Sequence, residues 1–109
     1  MDAAKTANLS EAIGSQSNGI VLVFSRYDLT NGSPLNYNFA SFFVPKIFVN
    51  NHPNGQYICL MNYGSGIYRK VVYIKDTGII GHDDNAKTIT LMGQSMNNKN
   101  FVMRYVYGV

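Results

Sequence analysis

The sequence predicts an all-β domain, a jelly-roll-like β-sandwich of about seven to nine short antiparallel strands. Three observations carry that expectation. Eight Tyr, six Phe and thirteen Asn stand beside a single Glu, Glu11, a composition suited to strands and turns rather than to exposed helix faces. The apolar residues fall in short runs rich in Val, Ile, Phe and Tyr, without helical spacing. Turn signals built on Gly, Asn, Asp and Pro separate those runs at intervals of about eight to twelve residues. The 109 residues make one domain, with no internal repeat, linker or low-complexity tract.

Along the chain, Thr6 to Gln16 reads as the end of a strand running into a loop; a short helical turn capped by Ser10 is the alternative, disfavoured by Gly14. Ser15 to Gly19 is a polar turn, and Ile20-Val21-Leu22-Val23-Phe24 comes next as a strand buried on both faces. Asp28 to Pro34 is a loop centred on Asn31-Gly32. Phe39 to Val49 holds two apolar clusters hinged at Pro45. Because proline donates no ladder hydrogen bond, Phe39 to Val44 and Lys46 to Val49 read as two strand pieces or one bent edge strand. His52-Pro53-Asn54-Gly55 is a β-turn leading into Gln56 to Met61. The Tyr63-Gly64-Ser65-Gly66 loop then leads into a strand from Ile67 to Lys75. Asp76-Thr77-Gly78 turns into the short Ile79-Ile80 piece, and Gly81 to Asn85 is a polar loop. Thr88 to Met92 alternates as a half-buried strand, Asn97 to Asn100 turns, and Phe101 to Tyr107 closes the chain as a strand.

Three of these strands break the alternation that an isolated two-layer sandwich requires. Ile20 to Phe24, Val71 to Ile74 and Phe101 to Val106 are apolar on both faces, apart from Arg104. Two uncovered outer faces would expose several hundred Å², more than a soluble monomer commonly tolerates. A second copy of the domain about a rotational axis is the economical cover, so a homo-oligomer is expected. Isolated Tyr and Val on a small surface are the competing explanation.

Composition excludes several functions. Charged residues are 14% of the chain, against roughly 25% in an ordinary soluble protein. The nine basic residues from Lys5 to Arg104 form no block, so the net charge of +3 does not argue for nucleic acid. No run approaches the roughly 18 apolar residues of a membrane helix, and the first residues lack the basic-then-apolar order of a signal peptide. Cys59, the single cysteine, sits in an apolar run and is expected to be a buried, unreactive thiol.

Signatures of catalysis are scarce, and no enzyme activity, cofactor or metal is expected. His52 precedes Pro53 in a turn, where a solvated ring is the ordinary outcome. His82-Asp83-Asp84-Asn85 offers imidazole and carboxylates but not the spacing of an EF-hand or zinc site; an acidic turn with local side-chain hydrogen bonds is favoured over a cation site. Asp83 and Asp84 are adjacent, so their side chains diverge and do not flank a glycosidic bond. Gly64-Ser65-Gly66 is followed by a strand, unlike a phosphate loop. Arg104 is the one charge in the last apolar strand, and a structural ion pair with Asp76, or else Asp28, is expected to compensate its burial; Lys46 invites the same reading. What remains is a binding surface, since Tyr rings suit sugar faces and amides or carboxylates suit hydroxyls. Asn62, Tyr63 and Tyr68 around the Gly-Ser-Gly loop, and His82, Asp83, Asp84 and Asn85 in the later loop, are the candidate ligand-binding residues.

Several co-linear motifs carry a resemblance over nearly the whole chain, from about Ala7 to Val109. They are Leu9-Ser10-Glu11-Ala12-Ile13, Ser17-Asn18-Gly19-Ile20-Val21-Leu22-Val23-Phe24-Ser25, Phe42-Phe43-Val44-Pro45-Lys46, Tyr73-Ile74-Lys75-Asp76 with Ile80-Gly81 and Asn85, and Phe101-Val102-Met103-Arg104-Tyr105-Val106-Tyr107-Gly108-Val109. In order, they resemble a C-terminal module of tail, baseplate and tail-fibre (receptor-binding) proteins of siphophages and prophages of Gram-positive bacteria. The family's usual ending is Val-Leu-Arg-Tyr-Val-Ile-Gly-Val; Met103 and Tyr107 stand where it has Leu and Ile, which keeps strand character. The resemblance implies a virion component at the tail tip or baseplate, made in the host cytoplasm from a prophage and often trimeric, that ends a longer polypeptide. Its implied partners are other copies of itself, other tail or baseplate proteins, and a host cell-wall polysaccharide or teichoic acid bound during adsorption. A trimerisation or baseplate-docking domain with no host ligand is the alternative. The loops Leu29 to Pro34 and Lys87 to Met96 match no motif of the family and are where host specificity would vary.

Overall fold

The computed structural model describes residues 5–64, 66–91 and 93–109. Met1 to Ala4, Ser65 of the Gly-Ser-Gly loop and Met92 at the end of the expected alternating strand lie outside the described residues. The chain is mostly β. Its elements are β1 (Thr6–Asn8), β2 (Gly19–Asp28), β3 (Ser33–Pro34), β4 (Ala40–Pro45), α1 (Lys46–Asn51), β5 (Gly55–Tyr63), β6 (Gly66–Lys75), β7 (Gly78–Gly81), β8 (Thr88–Leu91), β9 (Gln94–Asn97) and β10 (Phe101–Gly108), with 3-10 turns at Ile13–Ser15, Asp83–Ala86 and Asn98–Asn100. Among the described residues no helix is long and apolar enough to cross a membrane.

Every strand pairing is antiparallel. One sheet runs β1-β7-β6-β5. In the other, β2 is central, with β10 on one side and β4 and the short β3 on the other. β8 and β9 form a separate hairpin. Both sheets feed one core: Ile20, Leu22, Phe24, Val44 and Phe101 from the second meet Cys59, Met61, Val72, Ile74 and Ile79 from the first. Ile13, from the first 3-10 turn, and Val49 from α1 close its ends. The turns form at the residues that favour them. Asn54 takes the left-handed conformation ahead of Gly55, and Gly32 does so after Asn31, where the Asp28 carboxylate accepts from the amides of Thr30 and Asn31. Gly19 opens β2 at a φ of 151°, and a side chain there would run into the Val44 carbonyl.

One local expectation is sharpened and two are corrected. Thr6 to Gln16 does hold a strand end running into a loop, the strand being three residues long and the loop carrying a 3-10 turn at Ile13–Ser15. Its geometry is set by Asp76, whose carboxylate accepts from Gly14 N at 2.7 Å and whose carbonyl accepts from Ile13 N at 2.8 Å. The piece from Lys46 to Val49 is not a strand but the body of α1. Pro45 ends β4 and serves as the helix's extended N-cap residue. A helix this short is not stable by propensity; Val49 anchors it in the core and Lys46 Nζ donates to Gln16 O at 2.9 Å. Thus Lys46 is satisfied by a carbonyl rather than by a carboxylate. Finally, Lys87 to Met96 holds the β8–β9 hairpin rather than a strand and an open loop.

Candidate functional site

The candidate residues from Asn62 to Tyr68 lie at the β5–β6 end of the first sheet. Alternation along β5 turns Cys59 and Met61 into the core and leaves Asn62 exposed. Tyr63 ends the strand and remains 37% exposed. Tyr68 points inward, half-buried, and packs on Phe101 at 5.3 Å between ring centroids. Between them the structure places a residue absent from the sequence-based candidates. Arg26, on the core side of β2 opposite Phe101, lays its guanidinium over the Tyr63 ring at 4.0 Å, with the rings of Phe101 and Tyr68 at 5.4 and 5.7 Å. Its Nε and Nη1 are shielded from solvent and have no hydrogen-bond partner. The ring quadrupoles supply the compensation that a carboxylate would otherwise give. The signal was in the sequence: Arg26 continues the inward-facing series Leu22, Phe24.

The second group, His82 to Asn85, does not join the first in one site. It folds over the edge of β6, whose pairing with β7 ends at Val72 opposite Gly81. Beyond that point asparagine side chains take over the ladder. Asn85 Oδ1 accepts from Val71 N at 2.6 Å, its Nδ2 donates to Val71 O at 2.8 Å, and Asn98 Oδ1 accepts from Arg69 N at 3.0 Å. Both asparagines are buried. His82 is half-buried; its Nδ1 accepts from Asp84 N at 3.0 Å and its ring lies beside Tyr73. Asp84 meets Arg69 at 2.9 Å and Lys87 at 3.3 Å. The Lys87 hydrogen bond, with the charges of Lys87, His82 and Arg69, holds its carboxyl below the usual carboxylate range. Asp83 alone of this group is exposed. The geometry therefore gives His82, Asp84 and Asn85 structural partners, and leaves Asn62, Tyr63 and Asp83 facing solvent. Among the described residues no three of His, Cys, Asp and Glu come together as a metal site would require.

The expected ion pair of Arg104 with Asp76 is not formed. Arg104 is the extra residue where the β10 register shifts between Met103 and Tyr105, and this bulge aims it at neutral partners. Nη1 donates to Ser25 Oγ and Leu35 O, both at 3.1 Å, and Nη2 to Asn36 Oδ1 at 3.0 Å. The rings of Tyr105 and Phe39 lie 5.4 and 5.6 Å away. Asp76 is taken by Gly14, and Asp28 by its own loop.

Arg104 borders the most apolar exposed surface of the second sheet. Leu22 and Phe24 are buried, so Val21 and Val23 point outward. Their cross-strand neighbours are Phe43 and Tyr107 for Val21, and Ser41 and Tyr105 for Val23. Tyr105 and Tyr107 stack at 5.6 Å. Phe43 is 55% exposed, Tyr107 52%, and Phe39 and Tyr105 are exposed beside them. On the first sheet, Ile58, Leu60 and Ile67 are also exposed, whereas Val71, next to Ile58, is covered within the chain. No family model, curated protein or solved structure matches this chain.

Proposed function

We propose that the chain is a non-enzymatic module of a phage tail tip or baseplate that recognises a saccharide of the host surface during adsorption, working as a homotrimer of β-sandwich domains. The observation that carries recognition is the Tyr63–Arg26 pair. An exposed ring held against a shielded guanidinium is a platform for a sugar face. The co-linear motifs from Leu9 to Val109 supply the tail setting, and with it the virion as location and a cell-wall polysaccharide or teichoic acid as ligand.

Assembly is supported by the outer sheet surfaces. Four rings of roughly 200 Å² each, about half exposed, contribute on the order of 400 Å² before Val21 and Val23 are added. That is half of the roughly 800 Å² that each partner gives to a standard interface. The second apolar strip, Ile58, Leu60 and Ile67, belongs to the other sheet. Two unlike apolar faces on one chain suit a head-to-tail contact, which makes a ring when the rotation between copies closes.

Retention of the purified chain on cell walls from a panel of Gram-positive bacteria tests recognition. Binding to at least one wall, weakened by Tyr63→Ala or Asp83→Ala, supports it; no retention on any wall overturns it. A structural trimerisation or docking domain is the second reading, favoured by the partners that His82, Asp84 and Asn85 find inside the chain. Binding to another tail protein, and to no wall, identifies that role.

A further inference from the structure

β10 is an edge strand: it pairs with β2 on one side and with no described strand on the other. Just beyond its end, Val109 and Gly19 exchange two hydrogen bonds, at 3.0 and 3.3 Å. Bonded pairs recur at every second residue of an antiparallel ladder, so Tyr105 and Tyr107 turn their amides to β2 while Val106 and Gly108 turn theirs away. Among the described residues nothing bonds to the outward N–H and C=O groups of Val106 and Gly108. Both residues line a groove of about 640 Å³ whose other wall is residues 7–11. Gly108 can line it only with its backbone. Ala7, Leu9, Met103 and Val106 line it too, and all four pack half-buried on the core. The floor of the groove is therefore core left open between the edge strands β1 and β10.

We propose that this groove docks an extended peptide segment of a partner protein, which joins the sheet as a strand beside β10. The unpaired backbone groups select the class of partner, because a donor and an acceptor on alternate residues of a strand are matched by another extended main chain. Parity then sets its side chains. Those level with Val106 point towards Ala7, Leu9 and Met103, so a segment with apolar residues at every second position fits. The sheet edge of a second copy fits less well. The bulge at Arg104 confines the regular edge to residues 105–108, whereas sheet-to-sheet pairing draws on long, flat edges. A single peptide strand gains the apolar floor as well as the edge. The groove is separate from the Tyr63 platform, and peptide docking there does not depend on the tail-module reading.

The test is a titration of the whole chain with the peptide acetyl-Lys-Val-Thr-Val-Thr-Val-Lys-amide, followed by amide NMR shifts and hydrogen exchange. In the free chain the Val106 and Gly108 amides should exchange fast and that of Tyr107 slowly. Saturation by the peptide should then slow exchange at Val106 and Gly108. Val106→Pro removes a donor that faces away from β2, so the ladder with β2 keeps its bonds, and peptide affinity should fall at least about tenfold. If protection lost at Tyr107 shows that this variant disturbs the ladder, the same peptide with proline at its central valine decides instead, and it should leave Val106 and Gly108 exchanging fast. Absence of saturation, affinity unchanged in an intact Val106→Pro chain, or equal protection by the proline peptide overturns the proposal. Protection of Val106 and Gly108 in the free chain that disappears on dilution overturns it too, and assigns the edge to a second copy.

Discussion

Asn85 and Val71 exchange two hydrogen bonds in the manner of paired strand residues: Val71 N donates to Asn85 Oδ1 at 2.6 Å, and Asn85 Nδ2 donates to Val71 O at 2.8 Å. A side-chain amide has the donor and acceptor of a peptide group, so one buried asparagine replaces a strand where β7 has ended. Asn85→Ala removes both bonds and strands two buried backbone groups. A loss of about 2 to 4 kcal/mol in urea unfolding is expected, with early amide exchange at Val71. A change below about 0.5 kcal/mol would show that water replaces the side chain at no cost.

This pair also shows what the sequence could and could not tell. Apolar runs such as Ile20 to Phe24 and Phe101 to Val106 announced strands because β-branched and aromatic residues suit a pleated sheet wherever they sit. Their lack of alternation pointed to outer faces needing cover, and around Val21 and Val23 those faces do carry exposed rings. For Val71 the cover comes from within the chain. That depended on where β7 stops relative to β6, a matter of register that no local pattern in Gly81 to Asn85 encodes. The helix at Lys46 was hidden for a related reason. Six residues are too few for a period, and Pro45 marks the end of a strand without specifying the type of the next element. The lone charge of Arg104 in an apolar strand suggests a distant acid, while a one-residue bulge turns it towards Ser25, Leu35 and Asn36. Arg26 and Lys70 were legible from strand parity, since each falls on the face of its apolar neighbours.

Asp84 gives a prediction with a definite sign. Its carboxyl is held below its ordinary value of 3.8 by the Lys87 hydrogen bond first, and then by the charges of Lys87, His82 and Arg69. The unfolded chain therefore binds this proton more readily than the folded one. The stabilisation is complete above the ordinary value and is lost as pH falls through the lower, folded one. Melting curves from pH 2 to 6 should show a shallower acid limb in Asp84→Asn below about pH 4 than in the parent, and a lower Tm at pH 6. Parallel curves would mean that the cluster with Arg69, His82 and Lys87 adds nothing to stability.

Cys59 should be chemically silent in the folded protein. It is buried in the core opposite Lys70, and burial pushes its thiol up to about 11. At pH 8 roughly one thiol in a thousand is then the reactive thiolate. Labelling with a thiol reagent at pH 8 should be at least about a hundredfold slower in buffer than in denaturing urea. Rapid stoichiometric labelling of the native protein would contradict the core position of this strand.

The proposed assembly makes the most demanding prediction, because its two apolar faces can be altered separately. Phe43 and Tyr107 flank Val21 on the outer side of the second sheet and are both more than half exposed, so replacing them should cost an isolated domain little. In an interface, buried aromatic residues are the ones whose loss costs about 2 kcal/mol or more each. The parent chain at tens of micromolar should therefore sediment as a trimer, and Phe43→Lys/Tyr107→Lys as a folded monomer whose Tm lies within a few degrees of the value for other monomeric variants. A head-to-tail ring further requires Leu60→Lys, on the other sheet, to dissociate the trimer as well, since each contact would join unlike faces. If Leu60→Lys leaves the assembly intact while Phe43→Lys/Tyr107→Lys breaks it, the second sheet alone makes the contact and the pairing of unlike sheets is overturned. A parent chain that sediments as a monomer would leave the Phe39, Phe43, Tyr105 and Tyr107 surface to a different protein, as the connector role requires.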